Sequence, residues 1–265
     1  MEKRMDPRTA LLLTQLKQTS LILFGANLVG VYLHGSIVLG SYRPAVSDLD
    51  YLIVVQQPLT LAEKQALMTV TLQQLWPLAP AKGLEFHVLV ASAVRHFQDP
   101  CPFDFHFSPA HWRDYHEDPQ RYLTTMQGTD PDLAAHLTIL QTYGQVLVGA
   151  PIATVFGRVP VAAYWDSIVA DVAAAPEEIQ QAPLYLTLNL CRVLAYQQQR
   201  LILSKAGGGQ WGLQHCAPEF QALIAAALQA YQTQGQLLWT ATVTPDLARR
   251  FATQCLQQLA GGLTS

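Results

Sequence analysis

Along the first half of the chain, apolar positions follow two periods. From Pro7 to Phe24 they recur at helical spacing (Leu11, Leu12, Leu16, Leu23), and Gly25 stands where a C-cap glycine would, so a helix is predicted there. Leu28 to Leu33 is apolar with no polar face, the mark of a strand buried on both sides, and Tyr51 to Val55 and Leu84 to Val90 are further runs of the same kind. In the last of these, Glu85 and His87 fall on one face by two-residue alternation. Leu61 to Leu75, closed by Trp76-Pro77, reads as a helix between strands. Residues 96–131 lose periodicity and collect aromatics, His, Asp and prolines, which predicts a loop-rich stretch suited to lining a site. From Pro131 onward the spacing is helical: Asp132–Leu147, Ala162–Ala174, Leu184–Ser204, Glu219–Tyr231 and Pro245–Leu259, with no strand expected after Pro160. The shift divides the chain into an α/β domain over 1–155 and an all-α helical bundle over 156–265.

Composition narrows the function classes. Of 265 residues half are apolar and only 13% are charged, against roughly 25% in typical soluble domains, so the 27 glutamines must supply much of the polar surface. A net charge of −3 without basic runs argues against nucleic acid as partner. Lys17, Asn27, Asn189 and Arg192 break the longest apolar stretches, so no membrane span is expected. The opening residues lack a small-residue cleavage site and read as a helix start rather than a signal peptide. Cys101, Cys191, Cys216 and Cys255 fit neither a metal-binding spacing nor a disulfide framework, which points to a reducing cytoplasm.

The chemistry concentrates in His34-Gly35-Ser36 and, twelve residues after Ser36, Ser47-Asp48-Leu49-Asp50 leading into an apolar strand. A buried strand running into Gly-Ser at a helix start would present free backbone N–H groups to a phosphate, and Gly35 would let that backbone come close. Asp48 and Asp50 alternate onto one side of their strand, where two carboxylates repel unless a divalent cation lies between them, and hard oxygen donors suit Mg²⁺. Taken alone, either part has an ordinary explanation, a common turn or a solvated strand end. The ordered combination is more specific, and it is no P-loop, because Gly35–Ser41 lacks that motif's lysine.

These residues resemble the DNA polymerase β-like nucleotidyltransferases, which share a G[GS] turn, a D-x-D pair and a third carboxylate on a later strand, here Glu85. Within them, VYLHGSIVLGSYRPAVSDLDYLIVV is most similar to the aminoglycoside adenylyltransferases that modify streptomycin and spectinomycin. The similarity continues through Asp132–Leu137, Leu147–Pro151, Leu188–Leu194 and Ser204-Lys205 with Trp211. The resemblance implies a mixed sheet with flanking helices, then a helical domain, with ATP and drug between them. It implies Mg²⁺, as two ions, on Asp48, Asp50 and Glu85. Glu85 would take the proton of the attacking hydroxyl, and ATP would be held by Gly35, Ser36, Ser47, Arg192 and Lys205. Trp112, Glu178 and Tyr185 are the expected acceptor contacts. Members that accept streptomycin carry Trp and Asp just before the helix bearing Arg192. This chain has Ala173–Ala182 without either residue, which places spectinomycin ahead of streptomycin.

By spacing, Tyr185, Asn189, Arg192 and Tyr196 form a polar stripe on one helix face, where Arg192 could fork onto phosphate. Candidate carboxylates for a cationic acceptor are Asp104, Asp166, Glu177 and Glu178. His106, His111 and His116 recur every five residues, which is not a same-face helical spacing, so they read as scattered loop histidines rather than a zinc site. The alternatives are an adenylyltransferase acting on another small hydroxyl acceptor, or a regulatory, antitoxin-like binding protein. The full carboxylate set and the helical domain favour an enzyme, expected to act as a monomer.

Overall fold

The computed structural model describes residues 5–233 and 235–263. The chain forms two compact units that divide after Pro160, five residues beyond the division the sequence suggested. The segment to Pro160 stays with the first unit because the Phe156 ring packs edge-on against Tyr32, with centroids 4.9 Å apart, and Gly157 N–H donates to Val94 O.

The first unit is built on a five-stranded mixed sheet. Its strands are β1 (Leu28–Leu33), β2 (Leu49–Val55), β3 (Leu84–Val90), β5 (Phe105–Phe107) and β7 (Gln145–Gly149), in the order β5-β3-β2-β1-β7. A two-stranded ribbon pairs β4 (Cys101–Phe103) with β6 (Gly128–Asp130). β2 and β3 run parallel and the other sheet pairs antiparallel, and the register sets Asp50 opposite Glu85 and His87 opposite His106. The long helix Pro7–Phe24 starts where Asp6 accepts the Thr9 N–H and Pro7 occupies the first turn, and it ends at Gly25. Its Leu12 and Leu16 join Val31, Ile53, Met68 and Phe86 in one buried core.

Three expectations need correction. The segment Leu61–Leu75 is α-helical only to Val70 and continues as a single π turn over Thr71–Leu75. The stretch after Pro131 is not wholly helical, because the helix ends at Tyr143 and Gln145–Gly149 adds an edge strand to β1. At five residues, with Val146, Leu147 and Val148 in an unbroken apolar run, it shows no alternation that would set it apart from the helix before it. In the loop-rich stretch, β4, β5 and β6 are three residues each, too short to leave an alternation.

The second unit is helical, and no strand occurs among its described residues. The Pro183–Gln199 helix is its most buried element, and around it pack Lys205–His215, Gln221–Thr233 and Pro245–Leu259. The predicted helix to Ser204 instead ends at Gln199 with Arg200 in the left-handed conformation, and Ser204 caps a new helix through Gly207 N–H. That helix contains three successive glycines, Gly207, Gly208 and Gly209. A Cβ at Gly208 or Gly209 would strike Arg192 or Leu188, and one at Gly212 would strike Cys191, so these glycines let two helices approach closely.

Candidate active site

The Gly35-Ser36 turn follows β1 directly. It forms one 3-10 turn over Gly35–Ile37 rather than the helix start the motif suggested. Gly35 has φ +67°, and a Cβ there would land on the Asp50 carboxylate, so only glycine lets the turn close over that group. Ser36 Oγ is buried and makes no hydrogen bond within the protein, a cost of about 1–3 kcal/mol that an incoming acceptor oxygen would remove.

Asp50 in β2 and Glu85 in β3 sit in register on adjacent parallel strands, and Asp48 precedes β2 by one residue. Leu49 N–H donates to Gly83 O at 3.1 Å and Lys82 N–H to Ser47 O at 3.1 Å, tying the turn before β3 to the D-x-D segment. One carboxylate oxygen from each of Asp48, Asp50 and Glu85 lies within 4.8 Å of the others. Burial raises the Glu85 pKa above the ordinary carboxylate value, His136 opposes the rise, and Asp48 adds to it. Three crowded carboxylate oxygens fit a divalent cation of the magnesium kind. Ser47 is buried and its hydroxyl accepts the Arg43 N–H at 3.0 Å, so it shapes the loop between turn and strand.

A cavity of about 720 Å³ opens beside Asp48 and Glu85, with Arg8, Trp76, Lys82 and Ser108 among its lining residues. Arg8 and Lys82 are cations the sequence reading did not assign to the site. Arg8 lies forty residues before Asp48, and Lys82 stands in the turn before β3, so no local motif flags either. Trp112 is partly exposed and stacks on Trp76 at 4.7 Å and on His116 at 4.4 Å, which makes it a support for a cavity-lining ring.

Behind Glu85 stand several histidines. His87 and His106 are cross-strand partners with rings stacked at 3.7 Å, His87 Nε2 lies 3.0 Å from Asp130 Oδ2, and His106 Nε2 lies 3.9 Å from Glu85 Oε1. His34 packs on His136 at 4.8 Å, and His111 on His106 at 4.8 Å. Burial lowers the pKa of His34, His87, His106 and His111, that of His106 to about 2, so these rings are neutral near pH 7. The expectation of scattered loop histidines is thus corrected for His106, which strand pairing sets opposite His87, and for His111, which packs on His106 from the 3-10 turn Pro109–His111. His116 stays apart, on Trp112.

In the second unit, Tyr185, Asn189 and Arg192 do form one polar stripe. Tyr185 OH and Asn189 Nδ2 both donate to the Asp171 carboxylate at 2.8 Å, and Arg192 donates to Asn189 Oδ1 at 2.9 Å and to Leu203 O at 2.7 Å. Lys205 Nζ lies over the Tyr185 ring at 4.9 Å. Tyr196 leaves the stripe, being buried edge-on against Tyr164. Asp171, which organises this patch, was not among the carboxylates singled out, because it lies fourteen residues before Tyr185 on another element. Glu178 is exposed on a short helical turn. Asp104 is occupied elsewhere, accepting the Leu59 N–H at 2.9 Å and facing Lys64 at 3.7 Å.

A turn closes over paired carboxylates, and a third carboxylate stands on the neighbouring parallel strand in register with Asp50. Residues 154–258 match the family model described as aminoglycoside adenylyltransferase, C-terminal domain. The matched residues include Asp171, Glu178, Tyr185, Arg192 and Lys205. Over 94% of its length the chain shares the fold of the spectinomycin adenyltransferase AAD(9) from Enterococcus faecialis, a structure with ATP and spectinomycin, at a TM-score of 0.78 and 20% identity, covering 99% of that chain. No curated protein matches the chain by sequence. No described helix is long and apolar enough to cross a membrane.

Proposed function

We propose that the protein transfers AMP from ATP to a hydroxyl of spectinomycin, releasing pyrophosphate. The observation that carries this reading is the cluster of Asp48, Asp50 and Glu85 beneath the Gly35-Ser36 turn. The match of the second unit to the aminoglycoside adenylyltransferase domain supports the acceptor class. The spectinomycin enzyme of the same fold supports this particular drug.

Asp48, Asp50 and Glu85 would hold magnesium, which supplies charge neutralisation on the phosphates and alignment of the reacting oxygens. The Gly35 backbone approaches the triphosphate closely, and Ser36 Oγ donates to a phosphate oxygen in place of its missing partner. Glu85 receives the proton of the acceptor hydroxyl as the oxygen attacks the α-phosphorus and pyrophosphate departs. Ionised for that task, it needs the neighbouring cations to offset the burial that raises its pKa. Arg192 and Lys205 provide further charge for the triphosphate, and Asp171 and Glu178 offer anionic partners to the amino groups of the drug. Tyr185 supplies a flat surface for its rings, and Trp112 supports the Trp76 ring that lines the cavity. Free thiols at all four cysteines support a reducing, cytoplasmic setting, and we take the monomer as the working unit.

The test is pyrophosphate release from ATP and Mg²⁺ with a panel of aminocyclitols and aminoglycosides. Release with spectinomycin and none with streptomycin is expected. Release with neither drug, from protein that binds ATP, would overturn the acceptor assignment.

A further inference from the structure

We propose that His87, His106 and Asp130 form a binding site for a transition-metal divalent cation of the zinc class, distinct in its ligands from the oxygen cluster of Asp48, Asp50 and Glu85. One ligand atom from each of the three residues lies within 4.8 Å of the other two. His87 Nε2 and Asp130 Oδ2 stand 3.0 Å apart, close to the roughly 3.3 Å that two ligands of one tetrahedral ion keep at bond lengths of about 2.0–2.1 Å.

The site is built by the sheet rather than by a loop. His87 and His106 are register partners on paired antiparallel strands, which fixes both imidazoles on one face. Asp130 ends β6, and its second oxygen accepts the Asp132 N–H at 2.8 Å, an outer-shell bond of the kind that orients a ligating carboxylate.

A self-contained hydrogen-bonded network does not account for the arrangement. The His87–Asp130 contact satisfies His87, yet His106 Nε2 is buried without a hydrogen-bond partner, and Glu85 Oε1 at 3.9 Å is too far to be one. The two rings, stacked nearly parallel at 3.7 Å, must turn about their Cβ–Cγ bonds for their in-plane nitrogens to converge, and an ion then shared with His87 and Asp130 satisfies that nitrogen. Two imidazoles and one carboxylate suit zinc, cobalt or nickel and are a poor set for Mg²⁺, which prefers oxygen. Three protein ligands leave a fourth position for water or for the nearby Glu85, so a bound ion sets a second positive charge beside that carboxylate. The inference stands independently of the adenylyl-transfer reading.

The experiment titrates chelator-treated full-length protein with CoCl₂ in the presence of excess Mg²⁺, following the visible absorption of the cobalt ion, and then adds ZnCl₂. One equivalent bound with the intense bands of a tetrahedral ion, displaced by zinc, is expected. His106→Gln and Asp130→Asn each should weaken binding at least about tenfold, while Asp48→Asn leaves it unchanged. Both altered side chains are partly exposed, and circular dichroism matching the parent protein qualifies each variant. If one variant fails that check, the other decides. Absence of stoichiometric binding, equal affinity in the variant that folds, or displacement of cobalt by millimolar Mg²⁺ would overturn the proposal.

Discussion

Replacing Gly35 by alanine tests whether the turn and the carboxylates act as one device. Two separate effects are expected. The backbone at φ +67° disfavours any L side chain by about 1–2 kcal/mol, which should lower the melting temperature by roughly 2–8 °C for a unit of this size. In addition the new Cβ falls on the Asp50 carboxylate, which must retreat by roughly an ångström, and misplacement on that scale costs on the order of 100-fold in turnover. Gly40 provides the control. Its φ is +70° and a Cβ there meets nothing within 4 Å. Gly40→Ala should therefore lose comparable stability while turnover stays within a few-fold. The assay pairs thermal melts of both variants with pyrophosphate release at saturating substrates. Equal turnover in the two alanine variants would show that crowding at Asp50 is irrelevant to the chemistry, and the account of the turn would have to be abandoned.

Glu85→Gln should reduce turnover by about 100- to 10,000-fold with little loss of Mg²⁺-ATP binding, whereas Asp48→Asn should weaken that binding as well. Calorimetric titration of both variants separates a base from a metal ligand, and equal loss of binding would leave the base unidentified. The Arg192→Ala, Lys205→Ala double variant should weaken ATP binding by about 2–5 kcal/mol if each charged contact contributes about 1.5–3. Unchanged affinity would show that cations of the first unit, such as Arg8 and Lys82, suffice. Metal-free protein should lose stability as pH falls below 6.5, because the unfolded chain binds protons that buried, neutral His34 and His106 refuse. With a folded pKa near 2, His106 alone should account for roughly 2 kcal/mol between pH 6.5 and 5, at about 1.36 kcal/mol per unit, and denaturant melts flat across that range would contradict it.

Much of the molecule was legible from periodicity. β1, β3, Pro7–Phe24 and Pro245–Leu259 coincide with their apolar runs, because each buries a continuous face in a single core. The candidate carboxylates were legible for another reason: Asp48 and Asp50 share a side by alternation, and Glu85 occupies the corresponding place on the next strand. What escaped depends on pairing or packing that no local window contains. β7 is half-exposed, and the His87–His106 stack exists only because β5 pairs with β3. The Gly207–Gly209 helix forms because close helix packing outweighs a poor helical propensity. Asp171 becomes part of a polar patch only when the chain returns at Tyr185 and Asn189.

The most direct test of the central claim is the mass of the acceptor after reaction. Spectinomycin incubated with the protein, ATP and Mg²⁺ should gain one adenylyl group, with pyrophosphate formed in equal amount, and Glu85→Gln should yield neither product. Recovery of unmodified spectinomycin from active, ATP-binding protein, or an adenylylated drug formed equally well by Glu85→Gln, would contradict the account.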